Sequence, residues 1–411
     1  MSPESAGTEE HKAHERRLAA RALLMQPVLT AARHPEQLAL VRKHSPQLKR
    51  MFTTVLGYQL VVESTFARLL KAPLSADTVP RPAFTRNDRR FTARTYSYLA
   101  LVCASLLAPH ISDQVLMSVL VEQVRADAVT AEITLGDDLG ASRDLVRAVD
   151  VLVDWGVLTE TDGSVAGWET RQEEALLDIH RPLLPHLLSR ALSGFDSPVA
   201  LLDGAQADPL EPEQPRRSLR RKLVENPLVR REDLTEAERD VLSRERREVA
   251  RVLDESFGLV LEARSEGVLA YDPEEAVSDV AFPGSGTVAH AALLFVNALN
   301  DESRPAAGDT ATVAGRTVPG VRVPWSAVEA NIDLIIEQYG SAFAKSYVEK
   351  PSSLMQEAVL LLESVSIVVA DEDGLVLHPA SARYRPEPHR APARTRAMRR
   401  IGDQPPPTLF G

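Results

Sequence analysis

The residues able to do chemistry are scattered along this sequence, and their spacing argues against a reaction centre. Ten histidines occur, with no HExxH pair and no Cys–His pair at zinc-site spacing. His110, His180, His186 and His290 fall on or beside expected helices and read as structural. Cys103 is the single cysteine; it lies in the apolar run SYLALVCASLLAP, can form no internal disulfide, and reads as a buried small hydrophobe. Paired acids at Asp137-Asp138 and Asp371-Glu372-Asp373 lie in expected turns, where carboxylates are solvated or cap helices rather than shifted for acid or base work. No GxxxxGK[ST], GxGxxG or GxSxG pattern occurs; Gly284-Ser285-Gly286 is a fragment that reads as a flexible lead into a helix. The expectation is therefore no catalytic residue, no metal and no cofactor.

The remaining chemistry is electrostatic. Arg81, Arg86, Arg89, Arg90 and Arg94 crowd one stretch, with Phe84 and Phe91 between them. This is the composition of a DNA-backbone contact without sequence preference, and these five are the candidate DNA-binding residues. Two further basic clusters, RRSLRRK at 216–222 and seven arginines against one glutamate between 383 and 400, fall in Pro-rich segments that read as mobile tethers. The whole chain nevertheless carries a net charge of −11, so a generic nucleic-acid coat is excluded in favour of local anion contact.

At 411 residues the chain is too long for one core, and two folded units are the default expectation. No run is long enough to span a bilayer and the polar N-terminus is not a secretory signal, so the expected location is the cytoplasm. Residues 141–168 carry the clearest local grammar. Leu145, Val149, Leu152 and Val153 share a helical face, Gly156 stops the helix, and Val157-Leu158 begin a strand that turns at Asp162-Gly163. The same grammar recurs at 352–378, with Leu354, Ala358, Leu361 and Val365 on one face and a turn at Asp373-Gly374. Both read as the end of a winged helix.

Upstream, each half has a helix, an aromatic-Gly junction and a hairpin: LGYQLVVESTFARLLKAP and FGLVLEARSEGVLAYDP. An apolar helix follows in each, at 92–109, expected to be buried almost all round, and at 287–299. Ser112-Asp113 reads as the N-cap of the next helix, residues 172–192 as a helical brace, 195–227 as a mobile boundary and 303–324 as a loop. Thr235 and Glu238 form a capping box. The fold class expected is mainly α with small β-hairpins (α+β): tandem winged-helix domains with an N-terminal helical extension. The domain boundaries are 1–36, extension; 37–170, first winged-helix unit; 171–234, brace and linker; 235–382, second unit; 383–411, basic tail.

A groove-reading helix presents unopposed Arg, Lys, Asn or Gln to the bases. On the 141–155 helix Arg143 and Arg147 are cancelled by Asp150 and Asp154, and on 352–365 the polar face is Gln356, Glu357 and Glu363; both wings are acidic. Sequence-specific readout is disfavoured, and these helices read as packing or partner surfaces.

The stretches HERRLAARALLMQPVLTA, LGYQLVVESTFARLLKAP and RRFTARTYSYLALVCASLLA, followed by the helix-wing, resemble the small MukE-like (KITE-type) subunit of Wadjet plasmid-defence SMC complexes. The resemblance runs over most of the chain and is strongest through about residue 170. It implies a non-catalytic tandem winged-helix subunit that forms a homodimer, binds a kleisin and, through it, an SMC-like ATPase. It also implies help in holding double-stranded DNA. The alternative is a winged-helix transcriptional regulator.

Overall fold

The computed structural model describes residues 3–71, 83–85, 90–136, 138–187, 213–280, 282–306, 308–313 and 315–384. The chain divides into two compact units, Met1–Phe282 with Leu360–Ala370, and Pro283–Val359 with Asp371–Gly411. Helices dominate, joined by small antiparallel sheets of two or three strands. The mainly α architecture with β-hairpins is as expected.

The larger unit opens with α1 (Pro3–Met25), β1 (Leu29–Thr30), α2 (Pro35–Lys43), α3 (Ser45–Val55) and the hairpin β2 (Gln59–Val62) and β3 (Phe66–Leu70). The stretch at 35–57 reads as one helix from its periodicity but is two, broken at His44. Pro46 sits in the first turn of α3, where its missing N–H is harmless. The expected hairpin forms, with Leu60 opposite Leu69 and the Glu63 N–H donating to the Phe66 carbonyl at the turn. β1 pairs with β3, Leu29 opposite Ala67, so the N-terminal helix and strand share a sheet and a core with the residues that follow.

Next come α4 (Ala93–Leu107), β4 (Gln114–Leu116), α5 (Met117–Thr130), α6 (Leu139–Asp154), β5 (Leu158–Asp162), α7 (Val165–Arg171) and β6 (Leu176–Ile179). Helix α6 follows its sequence pattern closely. Leu145, Val149, Leu152 and Val153 are buried, Asp138 caps its start by accepting the Ala141 N–H, and Gly156, at φ +71°, ends it.

Three expectations are corrected here. Ser112-Asp113 does not cap α5, because β4 intervenes and Leu116 is the N-cap; Asp113 accepts from Arg181 instead. Within the described part of the expected brace, 172–187, the chain forms a strand and a 3-10 turn rather than a helix, and 188–192 lie outside the described residues. Leu177 and Ile179 alternate inward against β4 and β5, and Pro182 and Pro185 keep the following turn short. α4 is not buried all round: Tyr98, Leu101, Val102 and Leu106 face the core while Tyr96 and Leu107 are exposed.

The unit continues with α8 (Gln214–Glu225), β7 (Val229–Arg230), α9 (Glu236–Phe257), β8 (Val260–Ala263) and β9 (Gly267–Tyr271). The basic cluster 216–222, expected in a mobile segment, is helical. α9 starts on the expected capping box, the Thr235 hydroxyl accepting the Glu238 N–H while the Glu238 carboxylate accepts the Thr235 N–H.

This segment repeats the start of the chain. Arg16, Arg17, Arg21, Leu23 and Pro27 recur as Arg216, Arg217, Arg221, Leu223 and Pro227, each 200 positions later. β1 on β3 and β7 on β9 pair alike. Tyr58 N–H donates to the Phe52 carbonyl, and Leu259 N–H to that of Leu253. The two copies close a single core: Leu23, Leu48, Phe52, Leu56 and Ala67 join Leu219, Leu223, Val249, Leu253 and Phe257. The Phe52 and Phe257 rings lie 6.0 Å apart. Residues 91–184 form a second core of their own, to which Val28 and Phe66 contribute.

The smaller unit contains α10 (Thr287–Ser303), a hairpin of β10 (Thr310–Val313) and β11 (Arg316–Pro319), β12 (Val321–Pro324), α11 (Trp325–Tyr339) and α12 (Lys345–Glu349). Helix α13 (Pro351–Ser364) and strand β13 (Val368–Ala370), which from Leu360 to Ala370 belong to the larger unit, precede β14 (Gly374–Leu377), which pairs with β12, Val323 opposite Leu375. The loop expected at 303–324 is thus largely strand, consistent with its β-branched Thr310, Thr312, Val313, Thr317 and Val318. Asn300 ties α10 to the C-terminal turn, donating to the Ser381 carbonyl at 3.0 Å and accepting from the Ser381 hydroxyl at 2.7 Å.

The four three-stranded sheets share one order, first strand, third, second: β1-β3-β2, β4-β6-β5, β7-β9-β8 and β12-β14-β13. That is the winged-helix order, written four times where the sequence shows two.

Candidate functional site

Of the five arginines expected to touch DNA, Arg81, Arg86 and Arg89 lie outside the described residues. Arg90 is exposed and bridges Phe84 through its backbone. Arg94 begins α4 and is committed to the protein: its Nε donates to Asp144 Oδ2 at 2.5 Å and its guanidinium lies over the Gly140 turn of α6. Asp144 also accepts from the Thr95 hydroxyl at 2.9 Å and Arg147 at 3.0 Å. Burial opposes charge on Asp144, yet the bonds from Arg94, Thr95 and Arg147 hold its pKa below the ordinary aspartate value. Arg94 therefore clamps α4 to α6.

The remaining charges on α6 are paired likewise. Arg143 donates to Glu169 at 2.8 Å, and Asp154 accepts from Arg33 at 3.1 Å. In the wing, Glu160 accepts the Ser164 hydroxyl and the Val165 N–H. On α13, Glu357 accepts from the Tyr347 hydroxyl. Asp371 receives Arg322, whose hydrogen bonds hold its pKa at about 2, so this wing carboxylate is a strut. The Arg-rich tail beyond 384 lies outside the described residues.

The 216–222 cluster is also engaged internally. Arg216 grips Glu245 with Nε at 2.7 Å, Lys222 donates to Glu238 at 2.8 Å, and Arg221 donates to the Leu56 carbonyl at 3.2 Å. Arg217 and Arg221 cover Gly57, and Arg17 and Arg21 cover Gly258, the same place on the other copy. Arg21 donates to the Phe257 carbonyl at 2.7 Å and to Asp272 at 3.0 Å. These conspicuous arginines act as helix C-caps between the copies.

A basic cleft does exist, at residues outside the expected set. Between α9 and the β8–β9 hairpin lies a cavity of 530 Å³ lined by Arg231, Arg239, Arg246 and Arg264, with Ser243 and Ser265. Leu234, Leu242, Ala263 and Val268 form its apolar floor, and among the described residues no carboxylate lines it. Arg239 and Arg264 are steered by the Leu234 carbonyl and Glu262. Its signal is in the sequence, where 239, 243 and 246 recur at helical spacing on one face of α9. Alternating acids at 236, 238, 240, 245 and 248 hide it in the linear order. The cleft offers hydrogen-bond donors and positive charge to an anion.

His11 and His44 share the Glu15 carboxylate, and His180 and His186 both lie against the Phe66 ring. His44 meets Glu15 at 2.8 Å, His110 meets Gln123 at 2.9 Å, and His290 packs on Phe343. Among the described residues no group of three His, Cys, Asp or Glu side chains is placed to hold a metal ion. Burial pushes the Cys103 thiol up to about 11, with Arg68 opposing, so it is a poor thiolate. No described helix is long and apolar enough to cross a membrane.

A family profile described as a protein of unknown function, DUF2398, matches residues 20–387. The chain belongs to the DUF2398 family. No curated protein and no solved structure matches it. The DUF2398 match takes in all four wing sheets, so the repetition is a property of the matched region and not of an appended domain.

Proposed function

We propose that this DUF2398 protein is a non-catalytic accessory subunit of an SMC-type complex in bacterial defence against plasmids. It binds a kleisin subunit, reaches the SMC-like ATPase through it, and contacts double-stranded DNA without sequence preference. The observation that carries this reading is the internal use of the recognition-face charges. Arg94, Arg143, Asp144 and Asp154 are all paired within the protein, while the fold itself is the winged-helix order four times over. A groove reader keeps such side chains for bases; a scaffold uses them for its own rigidity. The resemblance to MukE-like subunits supplies the kleisin and the SMC complex.

DNA contact moves from Arg94 to the cleft of Arg231, Arg239, Arg246 and Arg264. Four guanidinium groups over an apolar floor suit a phosphate backbone, since bidentate Arg–phosphate bonding needs no base identity. Binding to random and genomic fragments, titrated with salt, tests this. The expected result is equal affinity for both, falling steeply with salt. Arg231→Glu with Arg246→Glu should weaken binding about tenfold or more and flatten the salt slope by roughly one for each phosphate-binding arginine replaced. Tight, salt-resistant preference for particular genomic fragments would instead establish a transcriptional regulator.

A further inference from the structure

The family resemblance implies a homodimer, yet the larger unit already contains a paired copy. Residues 3–71 and 214–271 each fold as helix, short strand, helical segment and hairpin, and they bury their apolar faces on one another in one core. The arginine caps across the pair are reciprocal, and further polar contacts join the copies on one side. Arg21 of the first copy caps the α9 end at Phe257 and Gly258, and Arg221 of the second caps the α3 end at Leu56. The Tyr58 hydroxyl and Lys71 Nζ of the first copy both reach Glu225 of the second, at 2.9 and 3.1 Å. Reciprocal contact of the same patch on two related bodies is the mark of a two-fold dimer interface, here made within one chain.

We infer that this protein is an internally fused dimer whose working unit is a single chain. A second copy using the same surface would have to displace α1 or α8 from a core in which Leu23, Leu48, Phe52, Leu219, Leu253 and Phe257 are at most 1% exposed. Drawing such side chains back into water opposes that exchange, because the burial of apolar surface is the main force holding the pair together. The fused pair thus stands where two subunits would stand, and under the function proposed above one chain takes the place of two on the kleisin. The inference itself concerns the isolated chain and is tested without partner or DNA, so its failure is separate from failure of that reading.

Two measurements on the full-length protein decide it. Light scattering behind gel filtration, over a wide range of concentration, should give 45.0 kDa throughout. A carbodiimide, which joins an amine to a carboxylate in direct contact, should then couple Lys71 to Glu225. In a mixture of light and heavy-isotope chains, that peptide pair should be light–light or heavy–heavy only, and Glu225→Gln should abolish it. A mass of twice the chain, or mixed light–heavy Lys71–Glu225 pairs showing that the copies are exchanged between chains, would overturn the inference.

Discussion

Two glycines carry the two-fold at the scale of single residues. Gly57 and Gly258 both sit at φ +71°, and a Cβ at either would meet the arginines of the other copy, at 3.2 Å for Arg221 and 2.6 Å for Arg21. Left-handed backbone costs any L side chain about 1–2 kcal/mol, and the crowding adds to it. Gly57→Ala and Gly258→Ala should therefore each lower the urea midpoint, Gly258→Ala by more because its approach is tighter; an unchanged midpoint for both would contradict the capping role. Acid sensitivity follows from the buried carboxylates. Burial raises the pKa of Glu238, but Lys222, Ser218 and the Thr235 N–H outweigh it and hold the value below the ordinary one, as happens at Asp144. In the unfolded chain both titrate normally. Their stabilisation is thus complete above the usual carboxylate range of about 4, and is lost as pH falls through the lower folded values. Chemical denaturation at a series of pH values from neutral to acid should show a level midpoint that drops below about pH 4, and Glu238→Gln should lessen the drop. A midpoint that rises on acidification would refute the assignment.

Helix α9 and its hairpin are the elements on which the proposed DNA contact depends, and α6 marks how far local pattern reaches. The apolar face of α6, its Gly156 stop and the two early hairpins are legible in the sequence because local periodicity and turn residues decide them. What is not legible is decided by tertiary context. Strand β6 has four residues, too short for period to distinguish from a helix, and its identity comes from pairing with β4 and β5. Helix α8 has the composition of a solvated basic loop, yet Arg216, Arg221 and Lys222 are engaged by Glu245, the Leu56 carbonyl and Glu238. Arg94 resembles a phosphate ligand for the same reason: its partner Asp144 is remote in the sequence. Arg94→Ala should accordingly lower the melting temperature without weakening DNA binding, since it removes the clamp on Asp144; loss of DNA binding in a protein that melts normally would restore it to the interface.

For the whole molecule, the duplication is half visible in the sequence. The hairpins at 58–70 and 259–271 invite comparison, but the repeat of Arg16, Arg17, Arg21, Leu23 and Pro27 at a spacing of 200 is thinly marked. Caps and core positions recur there among surface residues that mostly differ. That pairing joins the two copies through one apolar core. The proposed role as a scaffold for a kleisin is tested most directly by co-expression with the kleisin-like product of a neighbouring gene. The two should elute together through gel filtration at salt high enough to strip DNA, whereas a protein that always elutes alone at 45.0 kDa would contradict the scaffold role.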